Sequence, residues 1–252
     1  MRHTFVLFGR QMRHILRSPD TIITVAVMPI AMMLMFVYVF GGAVKTSMGD
    51  GVNYVNYQLP GILLMGVSSG VSYTAVRLFT DIQKGIFARL RSLPIPRSAP
   101  LWSNVLTSLI SNAIAVFVLV LVALLLGFRP SGSPLRWLGA AGILALFTLA
   151  LTWLAIIPGL TAKSVEGSYV FSYPLIFLPF LSSAFVPTET MPTALRIFAE
   201  NQPMAGIVEL LRSLLSGGSV GNEVWIALAW CIGILLVAYL FAMGVYNRRM
   251  LK

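Results

Sequence analysis

The sequence predicts an all-α fold, a polytopic integral membrane protein with six transmembrane helices. An N-terminal amphipathic interfacial helix and an outer re-entrant helical hairpin before the last span complete it. Three observations carry this expectation. Of 252 residues, 58% are hydrophobic and only 10% charged, against roughly 25% charged in soluble domains; the mean hydropathy is +0.86. Marking the charges leaves six uncharged runs, 21–44, 51–76, 98–128, 137–162, 167–188 and 224–247, none shorter than 22 residues. About 20 residues of helix cross a bilayer core, where every backbone amide must find its partner within its own segment. Finally, Lys and Arg divide 13 to 5 between the two sides that six spans create. The positive-inside rule then puts both termini in the cytoplasm, with the chain in the cytoplasmic (inner) membrane. The spans are expected at about 21–41, 57–77, 102–126, 137–159, 168–187 and 225–246, in one domain covering 1–252.

Residues 2–17 form the first element. On a helical projection Phe5, Phe8, Met12, Ile15 and Leu16 share one arc and Arg2, Arg10, Arg13 and Arg17 another, the pattern of a helix lying in the inner membrane surface. A plain lipid-anchoring arm has the same pattern. Ser18, Pro19 and Asp20 break this helix before the first span. The basic arm and the apolar run that follows are both too long for a cleaved secretory signal, so the first span is expected to be retained.

The second span carries Gly66-Val-Ser-Ser-Gly70, a spacing of small residues that lets another helix approach closely. Behind it lies a basic segment, 81–97, in which a short helix-capable stretch is stopped by Pro94 and Pro96, since proline breaks the hydrogen-bond ladder and restrains its predecessor. A short stiff element lying across the membrane surface can transmit a push from a soluble partner. The fifth run holds Pro174 and Pro179 among Tyr169, Phe171, Tyr173, Phe177 and Phe180, and is expected to kink beside a cavity or a neighbouring helix.

Residues 188–223 are too long and too apolar for an ordinary connection, and a hairpin is expected over 190–217. Pro192 opens a short helix bearing Leu195, Ile197 and Phe198, Asn201-Gln-Pro203 breaks it, and a second helix bearing Ile207, Leu210, Leu211, Leu214 and Leu215 ends at Gly217-Gly218. Two half-length apolar helices fit a hairpin dipping into the outer leaflet, with Glu209 and Arg212 spaced to pair near its rim. An interfacial loop is the alternative.

What the runs lack is equally informative. None holds Asp, Glu or His, the residues that ion-driven carriers keep at membrane depth, although ion sites built from carbonyls in broken helices stay open. Cys231 is the single cysteine and reads as a small packing residue. With no cluster of bases or metal ligands, the chain reads as no enzyme, with no catalytic, metal or cofactor-binding residue. No Gly-x-x-x-x-Gly-Lys-Ser/Thr occurs, so any uphill transport needs energy from another chain. The formal charge of +10 follows from topology and attraction to anionic membrane lipids, and no nucleic-acid partner is expected.

Several stretches resemble the membrane subunits of ABC-2 type exporters, within them the daunorubicin-resistance-like permeases. These are Pro29 with Phe36-Val-Tyr-Val-Phe-Gly-Gly42 and Leu59-Pro60-Gly61. Asp81, Gly85, Arg89-Leu-Arg-Ser-Leu-Pro94 and Arg97 follow in the loop, then Phe185, Pro187, Met191-Pro192, Asn201-Gln-Pro203, Leu211-Arg212 and Gly217. One departure is Phe87 and Ala88, where that family commonly has an acidic residue after the loop glycine. The resemblance implies a permease subunit that moves a drug-like molecule or lipid across the membrane. Two copies of a separate cassette ATPase would supply the energy and hold the ATP and Mg, and the permease would pair with a second copy or a paralogue. It implies that 2–17, with Arg10, Arg13 and Arg17, is a connecting helix. Asp81, Lys84, Gly85, Arg89, Leu90, Arg91, Leu93 and Pro94 would form the ATPase-coupling element. Tyr73, Phe171, Tyr173 and Phe177 would face the cargo, and Pro192, Pro203, Glu209 and Arg212 would build an outer gate. Rival readings are an ion-gradient-driven secondary transporter or channel, and, among exporters of this class, lipid or polysaccharide export.

Overall fold

The computed structural model describes residues 19–41, 53–86, 98–186, 188 and 191–250. The stretch 2–17 with Arg10, Arg13 and Arg17, and Arg89, Leu90, Arg91, Leu93 and Pro94 of the coupling segment, lie outside the described residues. The described residues form only helices, joined by turns. In order they are α1 (Pro19–Met35, continued by a π-helix over Phe36–Phe40), α2 (Tyr54–Gln83), α3 (Ala99–Leu125), α4 (Pro134–Thr161), α5 (Val165–Tyr169) and α6 (Ser172–Phe177, continued by a 3₁₀ turn over Leu178–Leu181). They are followed by α7 (Thr193–Asn201), α8 (Pro203–Ser216) and α9 (Glu223–Met250). Four of them, α2, α3, α4 and α9, are long and apolar enough to cross a membrane; Val27–Val39 and Ser172–Leu181 are shorter apolar helices.

Helix α2 is the hub, packing against α1, α3, α4, α5, α6 and α8, while α9 leans on α4 and α8 at the edge. One apolar core gathers Leu59, Ile62, Leu63 and Val67 of α2 with Phe147 and Leu151 of α4 and Ile207 and Leu211 of α8. A second joins Leu78, Leu101, Trp153 and Tyr246, with the Trp153 ring met edge-on by Trp102 and Tyr239 at 5.3 and 4.7 Å. Cys231 is buried within the larger core.

Two expectations change. The second span continues through Arg77 to Gln83, so Arg77 and Asp81 belong to a helix and not to a loop. Arg77 is tolerated there because Asn104 accepts from its guanidinium. The fifth run is divided: it turns at Val170–Phe171 and tightens to 3₁₀ after Phe177. Pro174 sits in the first turn of α6, where a missing N–H breaks no ladder.

Candidate functional site

The C-terminal half of α2 carries a polar seam against α3. Arg77 Nε donates to Asn104 Oδ1 at 3.2 Å, and one Nη reaches the Asn104 carbonyl at 3.5 Å. One turn deeper, Thr74 Oγ1 donates to Ser108 Oγ at 2.9 Å. Ser108 Oγ lies 2.9 Å from Thr152 Oγ1 of α4, and Thr152 already donates to the Thr148 carbonyl. Each hydroxyl has a single proton, so the chain runs Thr74 to Ser108 to Thr152 to Thr148. Deeper still, Asn112 Nδ2 donates to the Ser108 carbonyl at 2.9 Å, and its Oδ1 lies against Gly70, where a Cβ would meet it at 2.2 Å. Residues 77, 74 and 70 thus meet 104, 108 and 112, an antiparallel register at one-turn spacing. A Cβ on Gly66 would reach Leu119 Cδ1 at 2.5 Å, so both small residues of Gly66-Val-Ser-Ser-Gly70 meet α3.

The seam leads to the segment expected to couple to an ATPase. Asp81 occupies the last turn of α2, Lys84 N–H closes that turn on the Thr80 carbonyl, and Gly85 N–H bonds to Ile82. Gly85 has φ +68°, the left-handed conformation that ends helices and that glycine adopts without strain. Lys84 is exposed and Asp81 half-buried.

At the other end of α2, the α7–α8 pair is stitched to the segment that follows α6. Pro192 caps α7, Pro203 is the first residue of α8, and Gly217 at φ +75° ends α8. Arg212 Nη1 meets Glu209 Oε1 at 2.8 Å, its Nη2 donates to the Ser183 carbonyl at 2.6 Å, and its guanidinium lies 4.0 Å over the Tyr57 ring. Ser183 Oγ also donates to Glu209. Gln202 Nε2 bonds to the carbonyls of Leu178 and Leu181 at 3.1 and 2.7 Å, while Tyr54 donates to the Phe185 carbonyl at 3.3 Å. Phe36, Phe180 and Phe185 stack beside them, with Phe185 4.6 and 4.7 Å from the other two.

The four expected pathway residues stand in different surroundings. Tyr73 is half-buried on α2 and Phe171 packs on the main core, whereas Tyr173 and Phe177 are 49% and 60% exposed. An apolar groove of about 720 Å³ between α4, α6, α8 and α9 is lined by none of them; Phe147, Leu175, Met204 and Trp230 are among its walls. The residues that sequence reasoning missed are Asn104, Ser108, Asn112, Thr152 and Gln202. The first four were signalled as uncharged polar residues at one-turn spacing within apolar runs, whereas Gln202 lies in the Asn201-Gln-Pro203 break between α7 and α8.

The profile of the ABC-2 type transporter family matches residues 2–216. The chain belongs to this family. It is 32% identical over 250 residues, 98% of this chain and 86% of the relative, to the daunorubicin resistance ABC transporter permease protein DrrB1 of Streptomyces coeruleorubidus. It is 27% identical over 227 residues, 88% of this chain and 79% of the relative, to the probable doxorubicin resistance ABC transporter permease protein DrrC of Mycobacterium tuberculosis. Nodulation protein J of Rhizobium leguminosarum is 25% identical over 233 residues, 86% and 85% of the two chains. The protein is therefore a multi-pass membrane subunit of an ABC exporter, non-catalytic and needing no cofactor of its own. The family implies a partner ATPase that hydrolyses the ATP.

Proposed function

We propose that this permease is the six-span half of a dimeric exporter in the cytoplasmic membrane, with both termini inside, moving amphipathic or lipophilic cargo. The observation that carries the reading is the 32% identity across 98% of the chain to a daunorubicin-resistance permease. Six spans are supported by α1, where 17 residues of α-helix and 5 of π-helix give about 30 Å of rise. The broken segment from α5 to Leu181 supplies the fifth span.

In this reading two cassette ATPases, holding ATP and Mg, seat the coupling segment 81–97, with the 2–17 helix beside it. The α2–α3 hairpin has that segment at its tip. Its polar rungs fix α2 against α3, so a push at the tip moves both helices as one body. Tyr73, Phe171, Tyr173 and Phe177 serve cargo on the α2–α6 side, where the exposed Tyr173 and Phe177 present aromatic surface to a second permease copy or to cargo between the two. Pro192, Pro203, Glu209 and Arg212 belong to the outer gate, a re-entrant hairpin over 190–217.

The test is affinity purification of the detergent-solubilised permease from its native membrane, followed by an ATPase assay on what is retained. Co-purification of a cassette ATPase stimulated by lipophilic drugs is expected. Replacing Arg89 and Arg91 by Glu is expected to strip the ATPase from the permease, and unchanged co-purification would sink the docking assignment. Activity without nucleotide or partner would favour a gradient-driven carrier or channel.

A further inference from the structure

Six buried side-chain nitrogen or oxygen atoms among the described residues have no hydrogen-bond partner, and four of them belong to Gln58, Gln202 and Arg212. All three residues surround the segment 178–185. Gln202 and Arg212 bond to its carbonyls while Gln202 Oε1 and Arg212 Nε stay unpartnered. Gln58 is the extreme case, fully buried with neither Oε1 nor Nε2 bonded. Its place on α2 is fixed by its neighbours one turn to either side. Tyr54 donates to the Phe185 carbonyl, and a Cβ on Gly61 would lie 2.6 Å from Ala184 Cβ and 3.2 Å from the Phe185 ring. Residues 54, 58 and 61 share one helix face, so the Gln58 amide sits on the face that segment 182–185 covers.

A buried primary amide without partners destabilises the closed arrangement by about 1–3 kcal/mol. An apolar side chain of the same length would avoid that penalty, so the amide calls for an explanation other than packing. The bonds that hold the covering segment are all made through side chains: Tyr54, Gln202 and Arg212 donate to its carbonyls and Glu209 accepts from Ser183 Oγ, while Ala184 and Phe185 pack into the main core. When it swings away, Gln58 presents one donor and one acceptor beside the Phe36, Phe180 and Phe185 rings. We propose that Gln58 is a specificity-determining residue that receives the hydrogen-bonding edge of lipophilic cargo, a carbonyl or hydroxyl on a planar apolar body, as the outer segment opens. This rests on the exporter reading above and adds to it the polar feature by which cargo is chosen.

The test uses the permease with its ATPase in nanodiscs and two probes. Daunorubicin carries carbonyl and hydroxyl groups on a planar ring system; tetraphenylphosphonium is lipophilic and has no hydrogen-bonding group. For Gln58→Leu, the concentration of daunorubicin giving half-maximal stimulation of ATP hydrolysis is expected to rise roughly tenfold, the loss of one good hydrogen bond. That for tetraphenylphosphonium is expected to stay within about twofold, and the melting temperature to hold or rise because the unpaired amide is gone. Gln58→Asn keeps the chemistry and is expected to fall between. An equal shift for both probes, no shift for either, or a Gln58→Leu chain that no longer folds would overturn the proposal. A wild-type complex that neither probe stimulates would overturn the exporter reading, and the role of Gln58 with it.

Discussion

The two ends of α2 handle polar groups differently. At the C-terminal end, Arg77, Thr74 and Gly70 meet Asn104, Ser108 and Asn112 rung by rung and the hydroxyl chain continues into α4 with each proton placed, while Asn112 Oδ1 and Ser111 Oγ of α3 keep no partner. At the N-terminal end, the Gln58 side chain has no bonds, and Gln202 and Arg212 each keep an atom unpaired around one short segment. Interhelical hydrogen bonds in membranes contribute only about 0.6 kcal/mol each, so the seam acts more on register than on total stability. Unpaired atoms act the other way: those around segment 178–185 raise the energy of the arrangement that buries them. In the proposed exporter, one helix thus joins a half that moves as a unit to a half that comes apart.

The largest effect should come from jamming the seam. In Gly70→Ala the new methyl carbon would stand 2.2 Å from Asn112 Oδ1 and 2.9 Å from its Cγ. Asn112 cannot swing away without giving up its bond to the Ser108 carbonyl. Overpacking of this kind costs about 1–3 kcal/mol, read as a lower melting temperature of the purified permease. Adding Asn112→Ala removes the obstruction, so the double variant should regain most of the loss. Additive losses in the double variant would show that α2 and α3 are not in contact at this rung.

The seam also marks where sequence reasoning stopped. Charges served as span boundaries, and Arg77 therefore ended the second run; the guanidinium bonded to Asn104 lets the helix run on to Gln83. The Gly66 and Gly70 spacing pointed to a close approach, but spacing alone does not name the partner, which is α3 through Leu119 and Asn112. In the outer segment the local signals were stronger. Asn201-Gln-Pro203 separates α7 from α8 because Pro203 supplies no N–H and starts a helix well, and Gly217 adopts the left-handed turn that ends α8. The three-residue spacing of Glu209 and Arg212 brings them together, yet the bonds to Ser183, Leu178 and Leu181 depend on tertiary placement. The break at Val170–Phe171 precedes both prolines of that run, and proline position alone did not locate it.

A smaller effect is expected from cutting the outer stitch. Arg212→Met removes the Glu209 pair, the bond to the Ser183 carbonyl and the contact with the Tyr57 ring. Charged hydrogen bonds contribute about 1.5–3 kcal/mol when buried, but the Glu209 side chain is 42% exposed, so solvent screening brings the loss to roughly 1–2 kcal/mol. Arg212→Lys should recover only part, because an ammonium cannot reproduce the two-pronged geometry. If the outer half is the one built to open, Arg212→Met should also raise basal ATP hydrolysis of the assembled transporter relative to Gly70→Ala. Equal basal rates in the two variants would remove the functional side of the contrast.

The weakest contribution lies on α7, where Arg196 Nε bonds Glu200 Oε1 at 2.8 Å with both side chains nearly half exposed. The hydrogen bond from Arg196, helped by its charge and by Thr188, holds the Glu200 carboxyl below its usual value. A carboxyl depressed in the folded state adds stability above its unfolded pKa and loses it as pH falls through the lower folded value. Wild type and Arg196→Ala should therefore differ slightly in melting temperature near neutrality and converge in acid, below the ordinary carboxylate range. High salt should narrow the neutral difference as well, because exposed pairs are screened. A difference that persists in acid would mean that Arg196 acts through packing of its aliphatic stem. In that case α7 would belong with the firmly held parts of the molecule and not with the outer half that opens.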